Sequence, residues 1–178
     1  IIMAGMGALL NANLLHHKSR DMRSIMDNLS FIMEDMSRNL RTGSGYYCIT
    51  GLDNLSELDV PKSGQDCRGI AFQPAAEADK WVYEIVSELR GSVTVYYVRR
   101  STDSGATWTQ LTPDEVAIDD NVAGVQVSGF SILGAEPPSA GNRQQPFVII
   151  KLVGKITFKD VVTPFSLQTS ISQRLIDI

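Results

Sequence analysis

Two cysteines, Cys48 and Cys67, are the residues of this 178-residue chain whose chemistry depends most on where the protein resides. Their spacing excludes a redox-active Cys-x-x-Cys pair. In a reducing compartment they would be two independent thiols, whereas in an exported protein they would form one disulfide, which stabilises a fold by about 3 kcal/mol. We favour the disulfide between Cys48 and Cys67, because the other signals in the sequence point outside the cytoplasm.

A cluster of acidic residues surrounds Thr112-Pro-Asp-Glu115, a motif that predicts one helical turn through Ile118 with Thr112 as its N-cap. The cluster consists of Asp114, Glu115, Asp119 and Asp120. Carboxylates this close together could bind Ca²⁺, but their spacing does not match an EF-hand loop. Acidic side chains at a helix start also have a structural use, so we interpret the cluster as a solvated surface.

His16 and His17 are the two histidines of the chain. Neighbouring side chains on a helix point about 100° apart, so this pair cannot bind one metal ion as an i, i+4 pair does. With two histidines and two cysteines, a zinc site with four such ligands is nearly excluded. We therefore predict no metal site.

The segment Ser101-Thr-Asp-Ser-Gly-Ala-Thr-Trp108 fits the pattern S-x-D-x-G-x-T-W and resembles the Asp-box hairpin of sialidase-like propellers. In such a hairpin we expect Asp103 to accept backbone amides, Gly105 to adopt a positive φ and Trp108 to pack back on the hairpin. The motif occurs once here, and the chain is too short for a propeller. We interpret it as a stable hairpin tip without glycosidase activity.

The overall charge excludes further classes of function. A formal net charge of −4 and a pI of about 5.1 argue against binding nucleic acid through a basic surface. The sequence contains no Walker loop, dinucleotide fingerprint or G-x-S-x-G elbow. We predict no catalytic residue, no enzyme activity, no cofactor, no small-molecule substrate and no nucleic-acid partner. A secreted enzyme with a small acidic site is a competing hypothesis.

The first seventeen residues contain no Lys, Arg, Asp or Glu, and the first ten are apolar or glycine throughout. Ten residues are too few to cross a bilayer, which needs about 20. The chain begins without Met, so we expect residues 1–15 to be the end of a longer hydrophobic segment. The alternative is a buried N-terminal helix of a soluble domain.

Residues 9–41 contain neither proline nor glycine, and their apolar residues recur every three or four positions, which predicts a helix with one apolar stripe. Thr42-Gly-Ser-Gly45 predicts its end, with Gly43 just past the C-terminus. Such a helix would be about 55 Å long, more than a small domain can cover. The residues predicted to pack on a sheet are Met22, Ile25, Leu29, Ile32, Met33, Met36 and Leu40, with Met26 widening the stripe.

After Gly45 the pattern changes to short β-rich segments separated by turn residues. Strands are predicted over residues 46–50, 69–73, 81–89, 92–100, 107–111, 122–134, 146–158 and 165–173. The predicted fold class is α+β, a long N-terminal α-helix packed by its C-terminal half on an antiparallel β-sheet. Residues 1–42 would form the helix, apolar over 1–17 and amphipathic over 18–42, and residues 43–178 a globular antiparallel β-sheet domain.

A charge-free helix start, an amphipathic continuation, a glycine-rich break and a sheet with one disulfide together resemble a type IV pilin-like protein. The helix-to-sheet junction MRSIMDNLSFIMEDMSRNLRTGSGYYC is similar to that of minor pilins and pseudopilins. The residues in matching places are Glu34, Asp35, Met36, Arg38, Leu40 and Arg41, and the ending FSLQTSISQR also resembles the last strand of such proteins. The processing signal and the acidic residue near the mature N-terminus are absent, so we expect the chain to be N-terminally incomplete.

The resemblance implies a structural subunit of a type IV pilus or of a pilus-like filament of type II secretion or competence. Its partners would be copies of itself or other pilins, and the cytoplasmic membrane before assembly. The globular domain would be extracytoplasmic and the assembled filament would lie at the cell surface. Helix assembly would use Ile1, Ile2, Met3, Gly5, Met6, Gly7, Leu9, Leu10 and Leu14. The alternative is a membrane-anchored surface binding module that does not polymerise.

Overall fold

One α-helix and twelve β-strands make up most of the regular structure in the described part of the chain. The computed structural model describes residues 2–51, 58–141, 143–158 and 161–174, with side chains from residue 20 onward except at residues 21 and 138. The helix is α1 (Ile2–Thr42). The strands are β1 (Ser44–Ile49), β2 (Gly64–Cys67), β3 (Gly69–Gln73), β4 (Trp81–Arg90), β5 (Val93–Ser101), β6 (Thr109–Gln110), β7 (Val116–Ile118), β8 (Asn121–Val122), β9 (Val125–Gln126), β10 (Gly129–Leu133), β11 (Phe147–Phe158) and β12 (Val161–Ser172).

The helix ends at Thr42, at the stop that the sequence predicts. The amide of Gly43 donates a hydrogen bond of 3.2 Å to the carbonyl oxygen of Leu40. A Cβ atom at Gly43 would lie 2.4 Å from Cδ2 of Phe72, so glycine is needed there for close packing. The positive φ that allows the chain to turn lies two residues later, at Gly45 (φ 62°).

Ten strands form one sheet whose ends approach each other. The path runs β1-β3-β4-β5-β7-β11-β10-β2, with β12 beside β11 and β6 beside β5. Tyr47 of β1 forms a parallel bridge with Lys62, just before β2, and the Cys48 amide donates 3.0 Å to the Lys62 carbonyl oxygen. The sheet therefore nearly closes into a barrel between β1 and β2.

The disulfide prediction is confirmed, and the disulfide lies at this closure. Cys48 of β1 and Cys67 of β2 are bonded, with their Cα atoms 5.4 Å apart. Both sulfurs are fully buried in the core. A Cβ atom at Gly64 would lie 2.4 Å from Sγ of Cys48, so β2 can approach β1 only with glycine at that position.

The predicted fold class, an α+β protein with a long helix packed by its C-terminal half on an antiparallel sheet, is wrong. The structure is dominated by a mostly antiparallel sheet that nearly closes into a barrel, and the helix is the smaller part of the regular structure. Two short strands account for the difference. β2 was predicted as loop, and the helical turn predicted through Ile118 is the strand β7, which pairs with both β5 and β11. These two strands link the other β-strands into one nearly closed sheet.

Thr112 explains why the turn at residues 113–116, closed at 3.0 Å by the Val116 amide on the Pro113 carbonyl oxygen, does not become helical. Its Oγ1 accepts a hydrogen bond of 3.2 Å from the Val98 amide of β5, instead of capping a helix. The bond holds the segment beside β5, and Ile118 then pairs with Tyr96 of β5 and with Gly154 of β11. Pairing on both edges outweighs the local preference for a helical turn.

Two hydrophobic clusters cover the two faces of β1, β3 and β4. The larger lies inside the sheet and includes Tyr46, Cys48, Ile70, Phe72 and Tyr83. The smaller lies on the outer face and consists of Tyr47, Ile49, Leu58, Ala71 and Val82, with Trp108 against it. Alternate residues of β1 and β3 therefore enter different clusters, which explains why these strands show no exposed face.

We predict that loss of the disulfide opens the closure between β1 and β2. The double variant Cys48→Ala/Cys67→Ala should unfold with a free energy about 3 kcal/mol lower than the oxidised protein, because the cross-link restricts the unfolded chain. Urea unfolding at pH 7 measures the difference. Reductant should destabilise the natural chain and leave the double variant unchanged, and equal stability of the oxidised protein and the double variant would contradict the prediction.

Candidate functional site

The apolar stripe of α1 is the first feature predicted to have a function. Leu29, Met36 and Leu40 are fully buried, and Ile25, Ile32 and Met33 are nearly so. Met22 and Met26 are partly buried and pack against the same cluster. The cluster also contains residues of the sheet, among them Phe130, Leu152, Phe165 and Ile171. All seven residues predicted to pack on a sheet therefore lie in or against the core.

Polar contacts hold the helix against β4 and β5. Asp35 lies 3.3 Å from the guanidinium of Arg100, which in turn stacks over the ring of Trp81 at 5.4 Å. Asn39 donates a hydrogen bond of 3.0 Å from Nδ2 to the hydroxyl of Tyr83. Burial raises the pKa of Tyr83, so its hydroxyl stays neutral at physiological pH. These contacts fix the rotation of the helix about its axis.

The C-terminal turn of α1 is held by two further contacts. The hydroxyl of Tyr46 donates to the carbonyl oxygen of Leu40 at 2.5 Å and also lies within hydrogen-bond distance, 2.9 Å, of that of Gly43. The Arg174 amide donates a hydrogen bond of 2.9 Å to the carbonyl oxygen of Arg41. Carbonyls at a helix end have no partner within the helix, so these donors satisfy them. Burial also raises the pKa of Tyr46 well above its usual range.

The residues predicted for helix assembly fall on the other end of α1. Residue 1 lies outside the described residues, and Ile2, Met3, Gly5, Met6, Gly7, Leu9, Leu10 and Leu14 lie on the helical backbone, with side chains outside the description. The same holds for His16 and His17. Among the residues that the structure describes, no helix combines the length and hydropathy needed to span a membrane.

The described side chains of α1, from Arg20 onward, bury its C-terminal part. α1 has 41 residues and is therefore about 60 Å long, at about 1.5 Å per residue. The buried stripe from Ile25 to Leu40 covers about 24 Å of it on the same scale. Among the described side chains, those that pack in the core therefore belong to the C-terminal part of the helix.

The outward face of α1 carries one exposed aromatic ring. Phe31 is 67% exposed, on the side of the helix away from the buried stripe. Glu34 and Arg38 lie on the exposed surface and form the predicted i, i+4 pair at 3.5 Å. Both side chains of the pair are largely solvated, so it contributes little to stability.

The Asp-box segment forms the turn that the motif predicts. Oδ1 of Asp103 accepts from the Thr107 amide at 2.8 Å, and Oδ2 accepts from the Thr107 hydroxyl at 2.6 Å. Ser101 donates to Oδ1 at 2.7 Å, and Gly105 has φ 93°. These hydrogen bonds, led by those of Thr107, lower the pKa of Asp103 to about 2.

Trp108 contacts Arg99 of its own hairpin, as the motif predicts, and also packs against the outer face of the sheet. It lies against the outer cluster, and the guanidinium of Arg99 stacks over its ring at 3.9 Å. Arg99 also donates to Glu84 Oε2, through Nη2 at 2.7 Å and Nε at 3.1 Å. The Trp108 ring and the Arg99 guanidinium contact residues of the sheet, so the hairpin covers the outer cluster.

Two carboxylates of the acidic cluster, Asp114 and Asp120, pair with separate arginines. Asp114 lies 3.1 Å from Arg90, and Asp120 lies 2.7 Å from Arg68. Within the residues that the structure describes, no three His, Cys, Asp or Glu side chains are placed to hold a metal ion. The acidic cluster therefore has structural partners at both of these carboxylates.

Sequence reasoning missed the residues that join the helix to the sheet. Tyr46, Tyr83 and Arg100 were interpreted only as strand residues, because their contacts with α1 depend on how the sheet folds. Gly64 was missed because β2 was predicted as loop. No periodicity or motif in the sequence points to these four residues.

No known protein family, curated protein or solved structure matches this chain. The composition of α1 changes along its length, from charge-free over residues 2–17 to amphipathic from Lys18 onward.

We predict that the buried and exposed faces of α1 respond differently to truncation. Leu29→Ala should lower the free energy of unfolding by about 2–5 kcal/mol, because it leaves a cavity in the core. Phe31→Ala, two residues away, is the matched control and should change it by less than about 0.5 kcal/mol, because its ring is exposed. Chemical unfolding of both variants measures the difference, and equal losses would show that the packing is wrong.

We predict an acid-dependent role for Asp103. Its folded pKa of about 2 is below the usual 3.8, so its stabilising effect is present above about pH 4 and is lost as the pH falls toward 2. Asp103→Asn should therefore lower the melting temperature at pH 7 and flatten its decrease between pH 4 and 2. Asp79→Asn, at an exposed carboxylate of the neighbouring loop, is the control. Parallel melting curves for the two variants across this range would contradict the prediction.

Proposed function

We propose that this chain is a structural subunit of a type IV pilus or of a pilus-like filament of type II secretion or competence. The subunit would assemble through the apolar N-terminal part of α1. One observation carries the proposal: the helix is continuous from Ile2 to Thr42, so the charge-free residues 2–17 and the core-facing stripe from Ile25 to Leu40 lie on one helix. The proposal depends on this helix and not on the fold class.

The charge-free first half of the helix needs apolar surroundings. Residues 1–17 contain no charged side chain, whereas Lys18, Arg20 and Arg23 follow at once. Lipid and other apolar helices can both supply apolar surroundings for such a segment. We infer that the membrane covers it before assembly and that helices of other subunits cover it in the filament. Gly5 and Gly7 would allow those helices to approach closely.

The disulfide supports an extracytoplasmic domain. Stable disulfides are typical of oxidising compartments, and Cys48–Cys67 is buried at the closure of the sheet. Export of the domain and retention of the helix in the membrane would give a subunit with its sheet outside the cell. Assembly through the helix would then carry the domain to the cell surface, on the outside of the filament.

We predict that a charge in the apolar segment prevents assembly. Ala8→Glu in the full-length protein should strongly reduce filament number and incorporation, because a charged side chain within apolar surroundings costs about 3 kcal/mol. Electron microscopy of cells and immunodetection in sheared filaments measure both quantities. Ala8→Leu, which keeps the site apolar, and Ser24→Glu, which adds the same charge at an exposed position of α1, are the controls.

Unchanged filament number and incorporation in Ala8→Glu would contradict the proposal. A cell that forms no filaments, and whose purified protein binds a defined glycan or DNA, would instead support the membrane-anchored binding module. In that case Ala8→Glu should release the protein from the membrane fraction without altering ligand binding.

A further inference from the structure

The strand β12 has one edge without a partner strand. It pairs with β11 along all twelve of its residues, from Val161 to Ser172. Among the residues that the structure describes, no strand pairs with its other edge. Backbone amide and carbonyl groups of alternate residues point toward that edge, where a further strand could bind them.

The composition of β12 leaves this edge open to pairing. Residues 161–173 contain no Lys, Arg, Asp or Glu, although exposed edge strands commonly carry charges that prevent association. Pro164 is the one residue in the strand that cannot donate a backbone hydrogen bond. The segment 165–171 is therefore an uninterrupted, uncharged edge.

A cleft of about 310 Å³ lies between this edge and the helix. Leu167, Gln168 and Thr169 form one side, and residues of α1, including Ser30 and Ser37, form the other. Successive side chains of a strand point to opposite faces, so a cleft that contacts three in a row reaches the edge itself. The helix would form a floor beneath an added strand.

We propose that the edge binds β12 of a second copy of this chain, antiparallel and centred on Gln168. The sequence Phe165-Ser-Leu-Gln-Thr-Ser-Ile171 is self-complementary in that register. The pairs would be Phe165 with Ile171, Ser166 with Ser170, Leu167 with Thr169, and Gln168 with itself. Phe165 faces Ile171, the serines face each other, Leu167 faces Thr169, and no like charges meet, so the register contains no repulsive cross-strand pair.

The pairing goes beyond the proposed filament function and does not depend on it. An antiparallel pair of identical strands has a two-fold axis, so it closes after two copies and cannot elongate a polymer. It is a lateral contact between two globular domains. The outward side chains of Ser166, Gln168 and Ser170 are exposed on β12, so substitutions there leave the core intact.

Cross-linking at the two-fold axis tests the register. In Gln168→Cys the two new thiols would face each other, while Cys48 and Cys67 remain in their buried disulfide. The full chain, in detergent with micelles in excess so that the helices do not associate, should give a disulfide-linked dimer on mild oxidation. Gln110→Cys, on the exposed strand β6, is the control and should stay monomeric. Equal cross-linking of the two variants, or none at residue 168, would overturn the proposal.

Charge pairing gives an independent test. In the proposed register Ser166→Lys/Ser170→Lys places lysines opposite each other twice, whereas Ser166→Lys/Ser170→Glu places opposite charges together twice. Within one molecule these positions face Val153 and Ile149 of β11, and Lys151, opposite Gln168, is the diagonal neighbour of both. Chemical unfolding of the two variants as monomers is the control for the effect of this lysine. We expect dimerisation measured by sedimentation to be at least about tenfold weaker in the first variant than in the second. Equal dimerisation of the two variants would refute the pairing.

The two proposals can fail separately. Ala8→Glu should leave the cross-link through Gln168→Cys intact, because it changes only the apolar segment of the helix. Loss of filaments without loss of the cross-link would support both proposals, whereas normal filaments with a retained cross-link would refute only the filament proposal. Absence of the cross-link would refute the β12 pairing whatever the filaments show.

Discussion

The closure of the sheet between β1 and β2 is the constraint on which the described structure depends. The disulfide of Cys48 and Cys67 holds it covalently, and the parallel bridge before β2 continues it. β1 directly follows the helix, so the same closure also fixes the position of the helix end. Tyr46, two residues before the disulfide, binds the carbonyl oxygens of Leu40 and Gly43. One cross-link therefore positions the closure of the sheet and the terminus of α1 together.

Closure of the sheet creates a second surface that must be covered. Tyr47 and Ile49 of β1 point away from the interior and would expose apolar area if nothing lay over them. Trp108 covers them from the Asp103 turn, and its ring is held in turn by Arg99. The hydrogen bonds of Asp103 are thus a structural device. They form a rigid turn that places one large aromatic side chain on the sheet, and they need no ligand to explain them.

Local patterns in the sequence predicted the parts of the structure that local forces determine. Steps of three and four residues gave the helix, and the turn residues gave β3, β4 and β5 to within a residue or two. The near closure of the sheet could not be predicted, because the two strands that complete it, β2 and β7, are short and are stabilised by their neighbours. Thr112-Pro-Asp-Glu115 has the chemistry of a helix start, and only the Val98 amide of a distant strand overrides it. The contacts of Asn39 and Asp35 with the sheet are equally non-local, although the residues of the buried stripe were predictable.

The two proposed association surfaces differ in their physics. The apolar segment of α1 would bind through burial, which is strong but only weakly directional, so it sets affinity more than orientation. The edge of β12 would bind through backbone hydrogen bonds, which fix the register of two strands to a single residue. Ser30 and Ser37 of α1 lie beside the β12 edge, so the helix and the strand share one side of the molecule. In this proposal the helix contact would be open-ended and would build a polymer, whereas the strand contact would close after two copies and would join the globular domains of two subunits.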